Sequence, residues 1–596
     1  MMKTRSFIVC FLMLMGVVIA VAQSVPAEWL TYYEKSGSTK TPRYDETMAY
    51  CRRLSDASPW IKVTSFGTSP EGRDLVCVIA SREGFTDPVK ARKSGKAILL
   101  VQNGIHAGEI DGKDACLMLL RDIAITKTRA ALLDHVIFLV IPIFNVDGHE
   151  RFGPYNRINQ NGPEEMGWRV TAQNLNLNRD YMKADAPEMK AWLKLYTAWF
   201  PDFFIDCHVT DGADFQYVVT YSIESGINVP PAVGEWINRD YLPSLNKIRT
   251  GGVPVTSYVM FRDDTDPSKG IEGGILPPRF STDYVVLHNR PGLLIETHML
   301  KEYKKRVEGT YQVIDTTLAV LNREYQRLRE RISVADSVTS AETALSVFPL
   351  QFDVADTPNR SVHFYGFRQM NAKSAISGAI RRVYTKDPVE MDLPLYDSIY
   401  PHVSVTLPAA YLIPRQWESV IERLELHGIL LEKLKRDQKL PVELYKLTGA
   451  KWQPRPFEGR LGVTYNIDLV HDSVLYPAGT VIVQLHQPAA KVAVHLLEPG
   501  APDALVRWGF FNTIFEQKEY AEDYVLEGMA EQMLAADHKL KEEFDRRVRE
   551  DSTFAHSPRA RLQFFYQHSP YWDSQLNIYP VARLQSEDGL QTEPLK

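Results

Sequence analysis

Four short apolar runs stand out in the first half of the chain. They are rich in Val, Ile, Leu and Phe, show no regular polar alternation, and cover Ala97–Val101, Val136–Ile143, Phe203–Asp206 and Leu293–Ile295. Runs of this length and composition predict strands that are buried on both faces, as in a parallel sheet. Stretches with helical periodicity alternate with them, so we predict an α/β fold with right-handed crossovers.

The pattern changes after a long predicted helix, Glu302–Arg331, which we expect to close the first domain. Short strand-like segments separated by Pro and Gly turns follow, with two helical stretches, and they include Ser361–Gly366, Ser404–Leu407, Thr480–Leu485, Gln416–Leu426 and Tyr520–Val548. This pattern predicts an α+β accessory region. We place the first domain at residues 23–338 and the accessory region at residues 339–596.

Length and charge narrow the class of protein. A chain of 596 residues is too long for one core, so at least two domains are expected. The net charge of -6 is small, and no basic tract suggests a nucleic-acid partner.

The N-terminus has the pattern of a secretory signal peptide over residues 1–22. A basic start precedes an apolar core, and Ala20-Val-Ala22 supplies a cleavage signature. We therefore expect an exported protein, periplasmic or secreted, with no membrane anchor after cleavage; the alternative is an uncleaved anchor. The four cysteines that remain lack C-x-x-C spacing, and we favour buried thiols over disulfides.

Each apolar run leads into a residue that is suited to metal-dependent hydrolysis. His106 and Glu109 follow the first run, Asn145 the second, His208 the third and Glu296 the fourth. The carboxyl ends of parallel strands meet at one edge of a sheet, where such folds place their chemistry. Two histidines and a glutamate there would hold zinc with one position open, and Glu296 would accept a proton from water.

Each of these residues alone has a simpler explanation. His106 or His208 would more often be a hydrogen-bonded structural histidine, and Glu109 would favour a helix N-terminus through the dipole. Their joint placement after separate buried runs is what indicates a site.

Several motifs together give the first domain a family resemblance. In order, they are Gly-Thr-Ser-Pro-Glu-Gly-Arg-Asp, His106-Ala-Gly-Glu109, Asn145-Val-Asp-Gly, Gly167-Trp-Arg169, Asn178-Arg179-Asp180, Asp206-Cys-His208 and Leu294-Ile-Glu296-Thr. The domain resembles the zinc carboxypeptidases of the carboxypeptidase A type. That resemblance implies a mostly parallel mixed sheet flanked by helices and one zinc ion per chain, bound by His106, Glu109 and His208.

The resemblance also implies roles for the other site residues. Glu296 would be the general base, and Arg169 would polarise the scissile carbonyl. Asn178 and Arg179 would bind the terminal carboxylate of a peptide substrate, for which a guanidinium is well shaped. The alternative for Arg179 is an ion pair with Asp180 or Asp185.

The sequence departs from the family pattern at three places. Gly108 stands where many members have an arginine, so one substrate contact would be missing. The tyrosine that caps the substrate has two candidates, Tyr284 and Tyr258, of which we place Tyr284 among the substrate-binding residues. The loop near Gly273–Asp283, where the specificity pocket should lie, does not decide which substrate side chain is preferred. Phe280 would favour an apolar side chain and Asp283 a basic one.

The second half resembles the tails of large exported bacterial members of the family. It offers no independent chemistry, because His486, His495 and Glu498 are most simply solvent-facing. We therefore predict a zinc metallocarboxypeptidase. The alternatives are a zinc amidohydrolase or cell-wall peptide endopeptidase on the same site, and a non-catalytic exported peptide-binding protein.

Overall fold

A computed structural model describes residues 25–341 and 345–595. The predicted signal peptide lies outside the described residues, and export remains a prediction. Within the described ranges, no helix combines the length and the apolar character that crossing a membrane requires.

Eleven strands lie in residues 25–341, the first of the two described ranges. They are β1 (Ile61–Thr68), β2 (Asp74–Ala80), β3 (Ala97–Asn103), β4 (Val136–Ile141), β5 (Phe203–Thr210), β6 (Val219–Ile223), β7 (Arg249–Thr250), β8 (Val253–Pro254), β9 (Thr256–Ser257), β10 (Ile271–Glu272) and β11 (Gly292–His298). Eight of them form one sheet in the order β1-β2-β4-β3-β5-β11-β6-β9. Its four central strands, β4, β3, β5 and β11, are parallel, and β1 and β2 pair antiparallel with their neighbours. Strand β6 is antiparallel to β11 and parallel to β9. The predicted mostly parallel mixed sheet is confirmed.

Helices cover the sheet on both faces. They are α1 (Tyr32–Lys35), α2 (Tyr44–Ala57), α3 (Pro88–Lys93), α4 (Asp111–Ala124), α5 (Val146–Glu150), α6 (Pro187–Trp199), α7 (Pro231–Trp236), α8 (Leu242–Leu245), α9 (Ser281–Leu287) and α10 (Tyr303–Ala341). Strand β3 shows why the apolar runs lack alternation. Ile98 and Leu100 enter one hydrophobic core, and Leu99 and Val101 enter the other. A strand buried on both faces needs apolar side chains at every position.

The second part of the chain is rich in strands. They are β12 (Val347–Val354), β13 (Arg360–Lys373), β14 (Ile380–Tyr396), β15 (Ile399–Thr406), β16 (Ala410–Ile413), β17 (Glu432–Leu434), β18 (Gln438–Trp452), β19 (Val463–Tyr476), β20 (Val481–Gln484), β21 (Ala582–Leu584) and β22 (Thr592–Pro594). Seven of them form a sheet in the order β19-β18-β21-β16-β20-β17-β22. The helices are α11 (Glu418–Leu426), α12 (Ala490–Leu497), α13 (Asp523–Ala536), α14 (His538–Glu550), α15 (Ser552–Ala555) and α16 (Pro558–Gln567). The mixture of strands and helices agrees with the predicted α+β region.

Helix α10 is longer than the predicted Glu302–Arg331. It continues to Ala341, because its last turns bury Ala335 and Thr339 against the first domain. The division that we placed after residue 338 therefore falls inside a helix, and the domain boundary remains a prediction.

Two residues of the second part that we expected to face solvent are buried instead. His495 is 3% exposed within α12, and Glu498 is 1% exposed, because the apolar face of α12 packs into the core that both parts share. Glu498 accepts hydrogen bonds from Tyr411 and Tyr445 at 2.8 and 2.9 Å. His486 is exposed, as expected.

The cysteines of the described chain are free and buried: Cys51, Cys77, Cys116 and Cys207. The preference for buried thiols over disulfides is confirmed.

Candidate active site

Three side chains converge beyond the ends of β3 and β5. His106 and Glu109 lie in the turn between β3 and α4, and His208 lies within β5. Glu109 Oε2 lies 3.2 Å from His106 Nδ1 and 2.9 Å from His208 Nδ1, and the two Nδ1 atoms are 3.2 Å apart. All three residues are at most 4% exposed. Two imidazole nitrogens and a carboxylate oxygen in contact form a donor set that suits zinc.

The opposite nitrogen of each imidazole has its own partner. His208 Nε2 lies 2.8 Å from Asp206 Oδ2, and His106 Nε2 lies 3.1 Å from Asn176 Oδ1. Because both partners are acceptors, they are suited to a proton on each Nε2, and each Nδ1 faces the cluster, where it would bind a metal once it is deprotonated. The cluster is therefore oriented for binding by Nδ1.

Glu296 reaches the cluster from the neighbouring strand. In the parallel pair β5–β11 its Cα partner is His208, so the sheet register alone places the two side by side. Its Oε2 has no hydrogen-bond partner within the described part of the chain. An unpartnered carboxylate oxygen beside the cluster is placed to accept a proton from a bound molecule.

Burial and neighbouring charges set the protonation of the cluster. Burial lowers the pKa of His106 to about 4, which keeps it neutral. Burial also raises the pKa of Glu296 to about 8, although His208 opposes the shift. Burial disfavours ionised Glu109 as well, but His106 and Arg157 outweigh it and hold the pKa of Glu109 well below its usual range. Burial by itself would lower the pKa of His208. The Asp206 carboxylate has the larger opposite effect, so the pKa of His208 lies well above its usual value.

Two arginines meet the other oxygen of Glu109. Arg157 Nη2 lies 2.7 Å and Arg169 Nη1 3.2 Å from Glu109 Oε1. Arg169 is the more accessible, with 42% of its side chain exposed against 15% for Arg157. Arg157 also covers Gly108, since a Cβ there would lie 2.7 Å from Arg157 Cγ. The space beside Gly108, where the family resemblance led us to expect a missing contact, therefore holds an arginine from another loop.

Asn178 and Arg179 lie in the segment that also carries Asn176. Asn178 is buried, and its Oδ1 accepts a hydrogen bond from Ser281 N at 3.1 Å. Arg179 is half-buried, donates to Asn178 O at 2.7 Å and lies over the Phe280 ring.

The alternative role for Arg179 does not hold in this structure. Asp180 pairs with Lys183, and Asp185 binds Arg460 at 2.6 Å. Within the described residues, the guanidinium of Arg179 has hydrogen-bonded and ring contacts but no ion pair. Its charge is therefore left to interact with an anionic ligand.

Tyr284 is not placed where a substrate could meet it, which corrects our expectation. It is 0% exposed on α9, and its hydroxyl lies 2.8 Å from His427 Nδ1 in an aromatic cluster with Trp192 and Tyr196. The run that begins at Ser281 forms a helix whose inner face carries this ring into the core. Tyr258, the other candidate, is 37% exposed.

Tyr258 lies at the edge of the cluster formed by His106, Glu109 and His208. Its hydroxyl accepts a hydrogen bond from Thr210 at 3.3 Å, two residues beyond His208. Burial and the nearby Glu296 raise its pKa. Of the two candidate tyrosines, the structure brings Tyr258 to the site.

Phe280 and Asp283, which favour different substrate side chains, both lie in the loop that we expect to set specificity. Phe280 lies under Arg179, whereas Asp283 is 4% exposed and accepts from Leu276 N at 3.2 Å. Burial and the Glu224 carboxylate raise the pKa of Asp283 well above its usual value. The contacts of this loop do not select between the apolar and the basic alternative.

Three residues of the site were missed as partners by sequence analysis. Asp206 had a usable signal, because a residue two positions before His208 on a strand lies on the same face. Asn176 stands two positions before Asn178 in a polar alternation, which is a weaker signal. Arg157 had none, since it belongs to a polar loop without periodicity.

A mostly parallel α/β sheet that carries two histidines and two glutamates at one edge defines a metal-dependent hydrolase. Comparison with known proteins shows which family of metal-dependent hydrolases the chain resembles. Residues 47–222 match the family model described as zinc carboxypeptidase. Carboxypeptidase 2 from Trichophyton rubrum is 25% identical over 496 residues, which cover 80% of this chain and 85% of the fungal protein. Carboxypeptidase A6 from Mus musculus is 30% identical over 119 residues, 18% of this chain and 25% of that protein.

Solved structures give distant matches. A metallo-carboxypeptidase from Burkholderia cenocepacia is 15% identical, with a TM-score of 0.35, over 47% of this chain and 69% of that chain. Carboxypeptidase A from Helicoverpa armigera is also 15% identical, with a TM-score of 0.35, over 50% of this chain and 75% of that chain.

The matches identify a zinc carboxypeptidase domain in the first part of the chain, over residues 47–222. The protein is a zinc metallopeptidase of the carboxypeptidase type, which confirms the family resemblance and the class of enzyme inferred from the motifs.

Proposed function

We propose that the protein removes the C-terminal residue of peptides with a single zinc ion held by His106, Glu109 and His208. The observation that carries the proposal is the contact of two Nδ1 atoms with one carboxylate oxygen, each within 3.2 Å, among buried side chains. When bound, zinc polarises a coordinated water and a carbonyl oxygen and, through its charge, lowers the pKa of nearby carboxyl groups.

Glu296 is the general base in this proposal. Its register opposite His208 places the carboxylate beside the cluster, and its Oε2 is without a partner in the described protein. It takes a proton from water as the water attacks the peptide carbonyl, and then returns that proton to the leaving amine. No covalent intermediate with the chain is required.

The arginines orient the substrate. Arg169, the more exposed of the two arginines on Glu109, is available to donate to the scissile carbonyl oxygen as negative charge develops. Arg179 and Asn178 bind the terminal carboxylate, because a half-buried guanidinium without an ion pair favours an anion.

The decisive test compares peptides with free and amidated C-termini. A charge-assisted hydrogen bond contributes about 1.5–3 kcal/mol, so the wild-type enzyme should prefer the free carboxylate by roughly 10–150-fold in kcat/KM. Arg179→Ala should lose most of that preference. Arg239→Ala, which removes an exposed surface arginine paired with Glu235, should keep it.

Two further measurements complete the experiment. Metal analysis should give one zinc per chain, and Glu296→Gln should retain it while kcat falls by about 100-fold to 10,000-fold. Equal cleavage of free and amidated peptides by the wild type would contradict carboxypeptidase action and indicate an amidase or endopeptidase.

A further inference from the structure

A two-residue turn of the second part of the chain touches the active site. The turn lies between β18 and β19, and its ends exchange backbone hydrogen bonds between Phe457 and Arg460 at 2.9 and 3.0 Å. Its central residues are Glu458 and Gly459. Glu458 Oε2 accepts a hydrogen bond from the backbone N–H of Asn176 at 2.9 Å, across 282 positions of sequence.

Asn176 is the residue that orients a zinc ligand. Its Oδ1 accepts from His106 Nε2 at 3.1 Å and from Asn178 N at 3.0 Å. It is 8% exposed, so the Glu458 carboxylate satisfies an N–H that has little access to water. One carboxylate of the second part thus holds the residue that positions both His106 and the start of the substrate-binding segment.

The backbone at Glu458 is strained, which argues for a role. Both central residues have positive φ, 49° for Glu458 and 76° for Gly459, as in a type I′ turn. Gly, Asn and Asp are the residues that such a position favours, whereas glutamate costs of order 1 kcal/mol or more there. A glutamate in this conformation is best explained by what its carboxylate does.

The rest of the turn is held both by the first domain and by the second part of the chain. Arg460 binds both oxygens of Asp185, at 2.6 and 2.7 Å, and lies over the Phe510 ring. Phe457 stacks on Trp508. The contacts of Glu458 and Arg460 therefore bracket residues 176–185, the stretch that carries Asn178 and Arg179.

The charge of the Glu458 carboxylate acts on the arginines of the site. Burial and Arg169 lower the pKa of Arg179, whereas the Glu458 carboxylate acts in the opposite direction. Glu458 therefore lies close enough to the arginines to offset part of their mutual repulsion.

We propose that Glu458 is a positioning residue of the active site, so that the second part of the chain completes the zinc and substrate machinery instead of only docking beside it. The inference rests on the proposed function. Glu458 holds the Asn176 amide, Asn176 holds the His106 ring in the tautomer that ligates through Nδ1, and the same contact fixes the segment leading to Arg179.

The test uses full-length Glu458→Asn and Glu458→Gln, with Glu422→Gln as the matched control. Glu422 also joins the second part to the first, through Lys190 at 2.9 Å, but does not touch the site. Asn suits the turn but is too short to reach Asn176, whereas Gln keeps the acceptor. The readouts are zinc affinity by chelator competition, kcat/KM at saturating zinc, and the melting temperature of the zinc-free protein.

We expect Glu458→Asn to lose roughly tenfold in zinc affinity and in kcat/KM, as residues that orient metal ligands typically do. Its zinc-free melting temperature should change by no more than about 2 °C, because relief of positive φ offsets the lost hydrogen bond. Glu458→Gln should stay within about threefold of the wild-type zinc affinity, since the acceptor remains. Glu422→Gln should match the wild type in all three measurements.

Unchanged zinc affinity in Glu458→Asn would overturn the proposal. A loss that comes with a fall in melting temperature of more than about 5 °C would also do so, because it would mark an ordinary docking contact. The proposal would also be overturned if Glu458→Gln bound zinc as weakly as Glu458→Asn. If the wild type cleaved no peptide, the proposed function would fail, and the zinc affinities would still decide the role of Glu458.

Discussion

The carboxyl group of Glu188 is buried without a hydrogen-bond partner for either oxygen in the described structure. It is 0% exposed near the start of α6. Burial raises its pKa from 4.5 to about 7, and the Asp147 and Asp180 carboxylates act in the same direction. The folded protein therefore keeps this proton at pH values where the unfolded chain has released it.

This shift predicts a pH-dependent stability. Because the pKa of Glu188 is higher in the folded protein, its contribution to stability is fully present below about pH 4.5. That contribution, up to about 3 kcal/mol in the free energy of unfolding, is lost as the pH rises through about 7. Glu188→Gln removes the titration, so it should raise the melting temperature relative to the wild type more at pH 8 than at pH 5. The exposed Glu527→Gln should show no such trend. A constant difference between the two pH values would argue that Glu188 is ionised in the folded state.

At the scale of elements, one arginine ties helix α10 to the strand that carries Glu296. Arg306 is 0% exposed and binds Asp111 Oδ2 at 2.9 Å, and Asp111 Oδ2 also accepts from Thr297 at 2.5 Å. Arg306 further donates to the carbonyl oxygens of Asn161 and Gly162. Three elements, α4, β11 and α10, therefore meet at the Asp111 carboxylate.

Breaking this buried pair should be costly. Arg306→Met leaves Asp111 without its partner charge, so we expect a loss of about 3–5 kcal/mol in the free energy of unfolding. Arg331→Met on the same helix removes a partly exposed pair with Glu235 at 3.9 Å and should cost less than about 1 kcal/mol. Chemical denaturation of both variants checks the difference. Similar losses in the two would show that the Arg306 network contributes little.

At the scale of the whole molecule, the two parts of the chain share a hydrophobic core. The cluster that contains Leu100 and Trp192 of the first part also contains Tyr411, Val483 and Leu496 of the second. Strand β10 pairs with β14, which adds a backbone connection. Separating the parts would expose this apolar surface to water.

The shared core predicts that the two parts unfold together. Calorimetry of the full chain should give one cooperative transition, and limited proteolysis should spare α10 around residue 338, where we had placed the division between the two parts. Two separate heat-absorption peaks, or early cleavage at that helix, would show that the parts are independent.

The sequence by itself determined the central sheet and the cluster of histidines and glutamates at its edge. Strands buried on both faces must be apolar at every position, so β3, β4, β5 and β11 were visible as uninterrupted runs. Parallel strands end at one edge, and this is why His106, Glu109, His208 and Glu296 could be grouped before the structure.

Only the tertiary structure decided which side chains support that cluster. Arg157 reaches Glu109 from an irregular loop, and Glu458 reaches Asn176 across 282 positions, contacts that no local periodicity encodes. Tyr284 was misplaced for the same reason, since a helix in the sequence does not show which of its faces the core will cover. Local patterns report burial and spacing along one element, whereas contacts between distant elements depend on how the whole chain packs.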